Sequence, residues 1–189
     1  GSVLLSTLNI TDSSFSSNGS YIFTPSGSSG SIGMDGAIQA SSLVAVSPSV
    51  RQGASGVIGA DKEVHLIASD NARLAIDGSG LIVANLNRSA AQTILNTQGA
   101  IRTTNGSIEL TAMGQAMAAE ALVTVGGVVL TQGRNNNIYI NSPYGGHSIT
   151  GAVSPGPGGI LTVNYQSADD AGDAADKKQA AQLTAGRSS

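Results

Sequence analysis

Between Gly99 and Ala112 the chain reads GAIRTTNGSIELTA, and variants of the phrase stand earlier: GVIGADKEVHLIA from Gly56 to Ala68 and GAIQASSLVAV from Gly36 to Val46. Each opens on Gly-x-Ile, passes through turn residues and closes on spaced aliphatics. The alternation inside is that of short strands, in which successive side chains point to opposite faces. Ile101 and Thr103 share one face, Ile108 and Leu110 share one face of the next segment, and Val64 and Leu66 do the same, with His65 and Ile67 opposite. The turn is Thr104-Asn105-Gly106-Ser107 in one phrase and Asp61-Lys62-Glu63 in another. Asn-Gly is a strong turn signal because both residues tolerate positive φ.

Strands of about three to five residues are not stable alone. Glycines open the phrases at Gly36, Gly56, Gly80, Gly99, Gly127 and Gly159, a spacing within the range of about 20–50 residues typical of stacked repeats. Stacking one phrase on the next buries the aliphatic faces and pairs the backbone above and below. The expected fold is all-β: a right-handed parallel β-helix, or solenoid, over residues 1–166, with Ile, Val, Leu and Ala inside and short loop excursions. A polar tail or linker follows over residues 167–189.

Three stretches break the pattern. Asn87 to Gln92 is polar and is expected to loop out. Met113 to Leu122 (MGQAMAAEAL) has helix-forming composition and reads either as a short helix or as an irregular strand continuing the repeat. Ser154 to Gly159 (SPGPGG) cannot be regular structure. After Gln166 the acids come before the bases, an order that suits a helix macrodipole. The tail therefore reads either as a helix from about Asp169 to Leu183 or as a solvated linker.

Composition narrows the function classes. The 189 residues suffice for one domain with a real core. Charged residues make up 11%, aromatics 3%, and there is no Trp; a compact α/β enzyme ordinarily carries more of both. The absence of Cys excludes disulfides and thiolate chemistry. A net charge of −3 argues against a nucleic-acid partner. No run approaches the roughly 18 apolar residues of a transmembrane segment. There is no signal peptide and no initiating Met, so the chain reads as a mature or excised fragment.

The order of motifs resembles that of bacterial filamentous haemagglutinin-like exoproteins, substrates of two-partner secretion. The residues that carry the resemblance are STLNITDSSF (Ser6–Phe15), GAIQA (Gly36–Ala40), GVIGADKEVHLIA (Gly56–Ala68), GSIELTA (Gly106–Ala112) and VTVGGVVLTQG (Val123–Gly133). The family's Asn-Pro-Asn-Gly motif, which stands upstream of the STL phrase, is absent. The resemblance implies a secreted or cell-surface protein of a Gram-negative bacterium, acting in cell adhesion or biofilm formation. It implies as partners an outer-membrane two-partner secretion transporter and host or bacterial cell-surface ligands, glycans among them. A targeting arm of a contact-dependent toxin system, or a part in haem acquisition, fits the same motifs.

Parallel β-helices also include polysaccharide lyases and hydrolases, and glycoside hydrolysis requires two facing carboxylates. The candidate acids are Asp61, Glu63, Asp70, Asp77, Glu109 and Glu120, of which Glu63 and Glu109 occupy related places in two phrases. Separate solvated charges are the expectation, since carboxylates are mostly exposed. Aromatic platforms for a sugar reduce to Tyr21, Tyr139, Tyr144 and Tyr165. His65 and His147 are the only histidines. No ligand spacing makes a metal site of them, and surface roles are expected for both, His147 in the loop YGGHS. Ile76 to Gly80 (IDGSG) lacks the alternating acids of a calcium loop and reads as a turn. The sequons at Asn9, Asn18, Asn87 and Asn105 are expected by chance in a chain so rich in Ser, Thr and Asn. The sequence thus assigns no catalytic, cofactor-binding or metal-binding residue, and the expected function is non-enzymatic.

Overall fold

The structure, a computed structural model, describes residues 1–15, 20–27, 30–77, 80–115, 121–165 and 179–184. The chain opens with β1 (Val3–Ser6), β2 (Asn9–Ile10), a four-residue helix α1 (Asp12–Phe15) and β3 (Ser20–Thr24). Strands then come in triplets. The first is β4 (Ser31–Met34), β5 (Ala37–Ala40) and β6 (Leu43–Ser47); the second is β7 (Ser49–Gln52), β8 (Val57–Ala60) and β9 (Val64–Ala68). A pair, β10 (Ala72–Asp77) and β11 (Gly80–Asn85), interrupts. The triplets resume with β12 (Ile94–Thr97), β13 (Ala100–Thr103) and β14 (Ile108–Ala112), then β15 (Val123–Val125), β16 (Val128–Thr131) and β17 (Ile138–Ser142). The last triplet is β18 (His147–Ile149), β19 (Ala152–Ser154) and β20 (Ile160–Tyr165), and β21 (Gln179–Thr184) follows.

Like members of successive triplets pair side by side. First members form sheet 1 (β4-β7-β12-β15-β18) and second members form sheet 2 (β5-β8-β13-β16-β19). Third members form sheet 3, flanked by β1 and β21 (β1-β6-β9-β14-β17-β20-β21). All pairings within the triplets are parallel and in register, so like positions stack: Ile38, Ile58, Ile101, Val129 and Val153 form one column, and Ala45, Leu66, Leu110, Ile140 and Val163 another. The inward residues of all three sheets meet in a single apolar cluster. Ile101, Ile108 and Leu110 are fully buried in it, as the alternation predicts. The chain is thus all-β, with several parallel sheets and almost no helix.

The corner between sheets 1 and 2 explains the glycines. Gly36, Gly56, Gly99, Gly127 and Gly151 stand immediately before the paired residues of sheet 2, and the carbonyls of the first four accept the amide of the residue following the next glycine: Val57, Ala100, Val128 and Ala152, at 3.0–3.1 Å. A Cβ on Gly99 would sit 2.1 Å from the Gly56 carbonyl oxygen, and on Gly127 or Gly151 1.9 Å from the carbonyl below. Close approach, not positive φ, is what requires glycine here. Two expected phrase glycines lie elsewhere. Gly80 opens β11, and Gly159 precedes β20 on sheet 3, whereas Gly151 was not among the expected set. Spacing alone misplaced them, because an insertion follows β9 and the spacing between corner glycines varies from one triplet to the next.

Polar side chains complete the corners. Buried Gln52 donates through Nε2 to the Gly56 and Ala100 carbonyls and accepts from Thr97 Oγ1 at 2.5 Å. Thr103 Oγ1 donates to the Gly106 carbonyl and Thr131 Oγ1 to that of Pro155, so both buried hydroxyls are satisfied.

A second, smaller layer lies on sheet 3. Strands β11, β10, β3 and β2 form an antiparallel four-stranded sheet. Phe23, Ala72 and Leu74 pack with Val44, Val46 and Ile67, the outward residues of β6 and β9. Those strands are therefore buried on both faces, and β6 reads accordingly as an unbroken apolar run, LVAV. The excursion is larger than the expected loop at Asn87–Gln92, which forms only its return, with Gln92 bridging to Gln115. Residues 78–79, the middle of the turn expected over Ile76–Gly80, and residues 116–120 lie outside the described residues, so the helix-or-strand alternatives for Met113–Leu122 concern a stretch described only at its ends. Gly156 and Gly158 take positive φ in the SPGPGG turn.

Over residues 179–184 the tail is neither of the two alternatives expected, a helix over Asp169–Leu183 or a solvated linker. Residues 179–184 form β21, paired antiparallel with β20 from Ile160↔Thr184 to Tyr165↔Gln179. The unpaired edge of β20 offers a row of backbone donors and acceptors that outweighs the modest helix propensity of an Ala-rich segment. Residues 166–178 and 185–189 lie outside the described residues.

The glycine column makes a contrast testable by denaturation. Gly127→Ala should destabilise by about 3 kcal/mol or more, since it sets a methyl against backbone that cannot yield. Gly36→Ala, at the open start of the same column with nothing within 4 Å of its Cβ, should stay within roughly 0.5 kcal/mol. Leu110→Ala should cost about 2–5 kcal/mol. Equal midpoints for the two glycine variants would refute the close-approach account.

Candidate functional site

The outer face of sheet 3 changes character along its length. Register places Val44, His65, Glu109, Tyr139 and Thr162 in one outward column, and Val46, Ile67, Thr111, Asn141 and Asn164 in the next. The antiparallel layer covers the apolar start of both columns. The polar remainder is open to the side.

His65 lies where the two regimes meet. Its Nδ1 is 2.9 Å from Glu109 Oε2 and its Nε2 is 3.1 Å from Glu63 Oε2. Strand pairing sets Glu109 directly opposite His65, and Glu63 enters from the turn ahead of β9. Burial pushes the imidazole pKa down, but the hydrogen bonds and charges of Glu109 and Glu63 together outweigh it and raise it to about 9. Burial likewise pushes Glu109 up, yet bonding to and attraction by His65, with a bond from Thr111, hold it below the ordinary carboxylate value. His65 therefore carries a proton at neutral pH and donates from both nitrogens. Glu63 is 46% exposed against 23% for Glu109, so solvent screens the Glu63 contact more and the Glu109 contact is the stronger of the two.

From Glu109 a chain of hydrogen bonds crosses the sheet. Thr111 Oγ1 donates to Glu109 Oε1 at 2.8 Å, Asn141 Nδ2 donates to Thr111 Oγ1 at 3.1 Å, and Asn164 Nδ2 donates to Asn141 Oδ1 at 2.8 Å. These four residues floor a cleft of about 270 Å³, whose sides are Leu86, Met113, Pro143 and Tyr165. Leu86 belongs to the edge of the antiparallel layer, so the partial cover over sheet 3 builds one wall. The return loop is held at both ends: Asp70 accepts from the amides of Ala91 and Asn71, Ser89 Oγ accepts from the Asp70 amide, and Arg88 stacks 4.5 Å over the Tyr144 ring.

The structure thus brings Glu63 and Glu109 together, but through a histidine rather than across a gap. A general acid needs a pKa raised towards neutrality, whereas Glu109 is lowered and both its oxygens are engaged. Neither histidine has the free surface role expected of it. His65 is paired and 15% exposed. His147 opens β18 rather than a loop, at an inward position in register with Val123. Its ring meets Tyr165 edge-on at 4.5 Å, its Nδ1 is buried without a hydrogen-bond partner, and burial lowers its pKa. The loop expectation followed from Gly145-Gly146, which in fact only precede the strand.

Asp61 is exposed and Asp70 is buried in the loop anchor just described. The side chain of Asp77, and Glu120, lie outside the described residues. Among the described residues no group of three or more His, Cys, Asp or Glu is arranged to hold a metal ion. Asn9, Asn87 and Asn105 are exposed; Asn18 lies outside the described residues. Thr111, Asn141 and Asn164 were missed by the sequence reading. A signal was present: IYIN (Ile138–Asn141) and LTVN (Leu161–Asn164) alternate alike, which sets both amides on the outward face. Comparison with protein-family models, with curated proteins and with solved structures gives no match.

The ion triad predicts a pH signature. His65 binds its proton more tightly folded than unfolded, so its contribution is full below its ordinary value of 6.5 and is lost as pH rises through about 9. Glu109 is shifted down, so its contribution is full above its ordinary value of 4.5 and is lost as pH falls through its depressed value. The loss in His65→Gln, about 1.5–3 kcal/mol for a charge-assisted bond, should therefore be greatest between the two ordinary values and should shrink towards pH 10. His147 has the opposite sign to His65, stabilising less as pH falls below 6.5, but it is common to both proteins and cancels in the difference. A wild-type–variant gap in unfolding free energy that stays flat across this range would refute the assignment.

Proposed function

We propose that the chain is a right-handed parallel β-helical segment of a secreted or surface-exposed bacterial adhesin of the filamentous haemagglutinin type, acting in cell adhesion or biofilm formation without breaking bonds. The observation that carries the reading is the order of strands. The chain visits sheets 1, 2 and 3 in turn, triplet after triplet, with matching register in each sheet, and crossover connections between parallel strands are right-handed in nearly all proteins. Four of the five motifs of the family resemblance fall on this frame in phase, and STLNITDSSF lies ahead of it, over the end of β1, β2 and α1. GAIQA is β5 with its corner glycine, GVIGADKEVHLIA is β8 and β9, GSIELTA is β14, and VTVGGVVLTQG is β15 and β16.

The outward surface supports a stalk. On sheet 1 the outward positions include Ser31, Ser49, Asn96, Thr124 and Ser148, and on sheet 2 Ala37, Val57, Ala100, Val128 and Ala152. Most of these are short side chains on parallel strands, and the exposed Arg51 on sheet 1 and Arg102 on sheet 2 stand among the outward residues. Among the described residues Glu63, His65 and Glu109 form an ion triad on this surface, in which one imidazolium offsets one of the two carboxylate charges. A β-helical polysaccharide lyase or hydrolase is the second reading, favoured by the one fact that Glu109 lines the cleft. An outer-membrane secretion transporter as partner, and a role as the targeting arm of a toxin system, follow from the resemblance alone.

A panel of plant and bacterial polysaccharides, incubated with the protein with and without calcium, separates the readings. The adhesin reading expects no release of reducing or unsaturated ends, and retention of protein-coated beads on cells through many weak contacts, each about micromolar or poorer. Product release abolished by Glu109→Gln or Glu63→Gln would overturn it in favour of the enzyme.

A further inference from the structure

We infer that the cleft on sheet 3 is a binding subsite for one ring-sized, neutral, hydroxyl-rich unit of a saccharide, held by the Asn141 and Asn164 amides against the apolar sides. The inference deepens the adhesive reading and rests on it in one respect, that this surface binds rather than cleaves.

The hydrogen-bond chain on the floor runs one way. Asn164 donates to Asn141, Asn141 to Thr111 and Thr111 to Glu109, while protonated His65 donates to the other oxygen of Glu109. Thr111 is thereby used as donor and acceptor, and both Glu109 oxygens are occupied. Each asparagine side-chain amide carries two N–H donors, of which the chain consumes one, and the Asn164 Oδ1 stands at its head with no donor among the described groups. What the floor presents to the cleft is therefore amide N–H and amide C=O.

Charge then selects the ligand. An anion would lie against the Glu109 carboxylate. A cation would find that carboxylate partly offset by His65 and both of its oxygens already accepting hydrogen bonds. A neutral hydroxyl both donates and accepts, which matches the spare amide groups, and the groups lose least when an equivalent partner replaces water. The sides supply the rest: Leu86, Met113 and Pro143 offer apolar contact to the C–H face of a sugar ring, and Tyr165 adds the edge of an aromatic. The volume of about 270 Å³ is at the lower limit of ligand pockets, about 300 Å³, and so fits a single ring rather than a length of chain. The position is built by the fold rather than by one element, since the floor comes from β14, β17 and β20 and one wall from the edge of the antiparallel layer.

The test is a nitrogen-15 NMR titration of the full chain with methyl glycosides of glucose, galactose, mannose and N-acetylglucosamine, with glucuronate and glucosamine as the anionic and cationic comparisons. The side-chain amide signals of Asn141 and Asn164 should shift with at least one neutral glycoside, saturating at about millimolar concentration as befits a single small ligand. Asn164→Ala should weaken that binding about tenfold, the worth of a hydrogen-bonded pair, with an unchanged melting temperature. Thr162→Ala, outward on the same strand but outside the cleft, should leave it unchanged. The inference is overturned if no neutral glycoside moves either amide, if glucuronate or glucosamine binds as tightly, or if Asn164→Ala binds like the wild type. Bead retention on cells without any amide shift removes the subsite and leaves the adhesive reading standing. Amide shifts without retention do the reverse.

Discussion

The stack of carbonyl-to-amide hydrogen bonds at the glycine corner constrains everything else. At Gly56, Gly99, Gly127 and Gly151 the backbone of one triplet lies so close on the one before that no Cβ fits between them. The contact fixes where sheet 1 ends and sheet 2 begins, and so the phase of every following residue. Gln52 reinforces it from inside by bonding the Gly56 and Ala100 carbonyls at once. With the phase fixed, the inward aliphatics stack on their own kind and the outward residues form straight columns. A one-residue slip would turn every core side chain outward.

The second layer depends on that regularity while departing from it. Between β9 and β12 the chain leaves the cycle, adds a hairpin, and comes back in phase, so that β12 still pairs with β7 and β13 with β8. The hairpin joins β3 and β2 to cover Val44, Val46 and Ile67. A sheet covered over part of its outer face leaves a step where the cover ends. His65 lies near that step, buried enough to strengthen its ion pairs and close enough to Glu63 and Glu109 to stay charged. Leu86 makes the step into a wall. The cleft is thus a consequence of an insertion that returns in register.

The electrostatics of the step bear on function by subtraction. Two carboxylates brought near one another suggest hydrolysis until the imidazole between them is considered. Its two N–H groups each donate to an oxygen of one carboxylate, and its charge draws Glu109 below its ordinary pKa. The pair then serves to hold β9 and β14 together across their outer faces. The hydroxyl and amides of Thr111, Asn141 and Asn164, which extend from it, make up the uncharged part of the cleft floor beside Glu109.

Much of the frame was determined by local sequence. Alternation in GAIRTTNGSIELTA decides which side chains face in, the Asn-Gly turn decides where one strand ends, and recurring Gly-x-Ile phrases demand stacking because strands so short cannot bury their faces alone. These are effects of neighbouring residues, and a linear reading captures them. Gly80 and Gly159 were misplaced, and Gly151 missed, because a spacing counts residues without knowing which belong to an insertion. The tail read as helix or linker because the open edge of β20, which pairs with residues 179–184, lies fourteen or more positions away in the chain. His147 read as a loop residue because two glycines precede it; only register with Val123 turns it inward. The triad and the cleft were decided by tertiary structure alone. Glu63, His65 and Glu109 were each visible as residues, but whether two carboxylates face a substrate or flank one imidazolium depends on distances across strands, and on how much water the overlying layer removes.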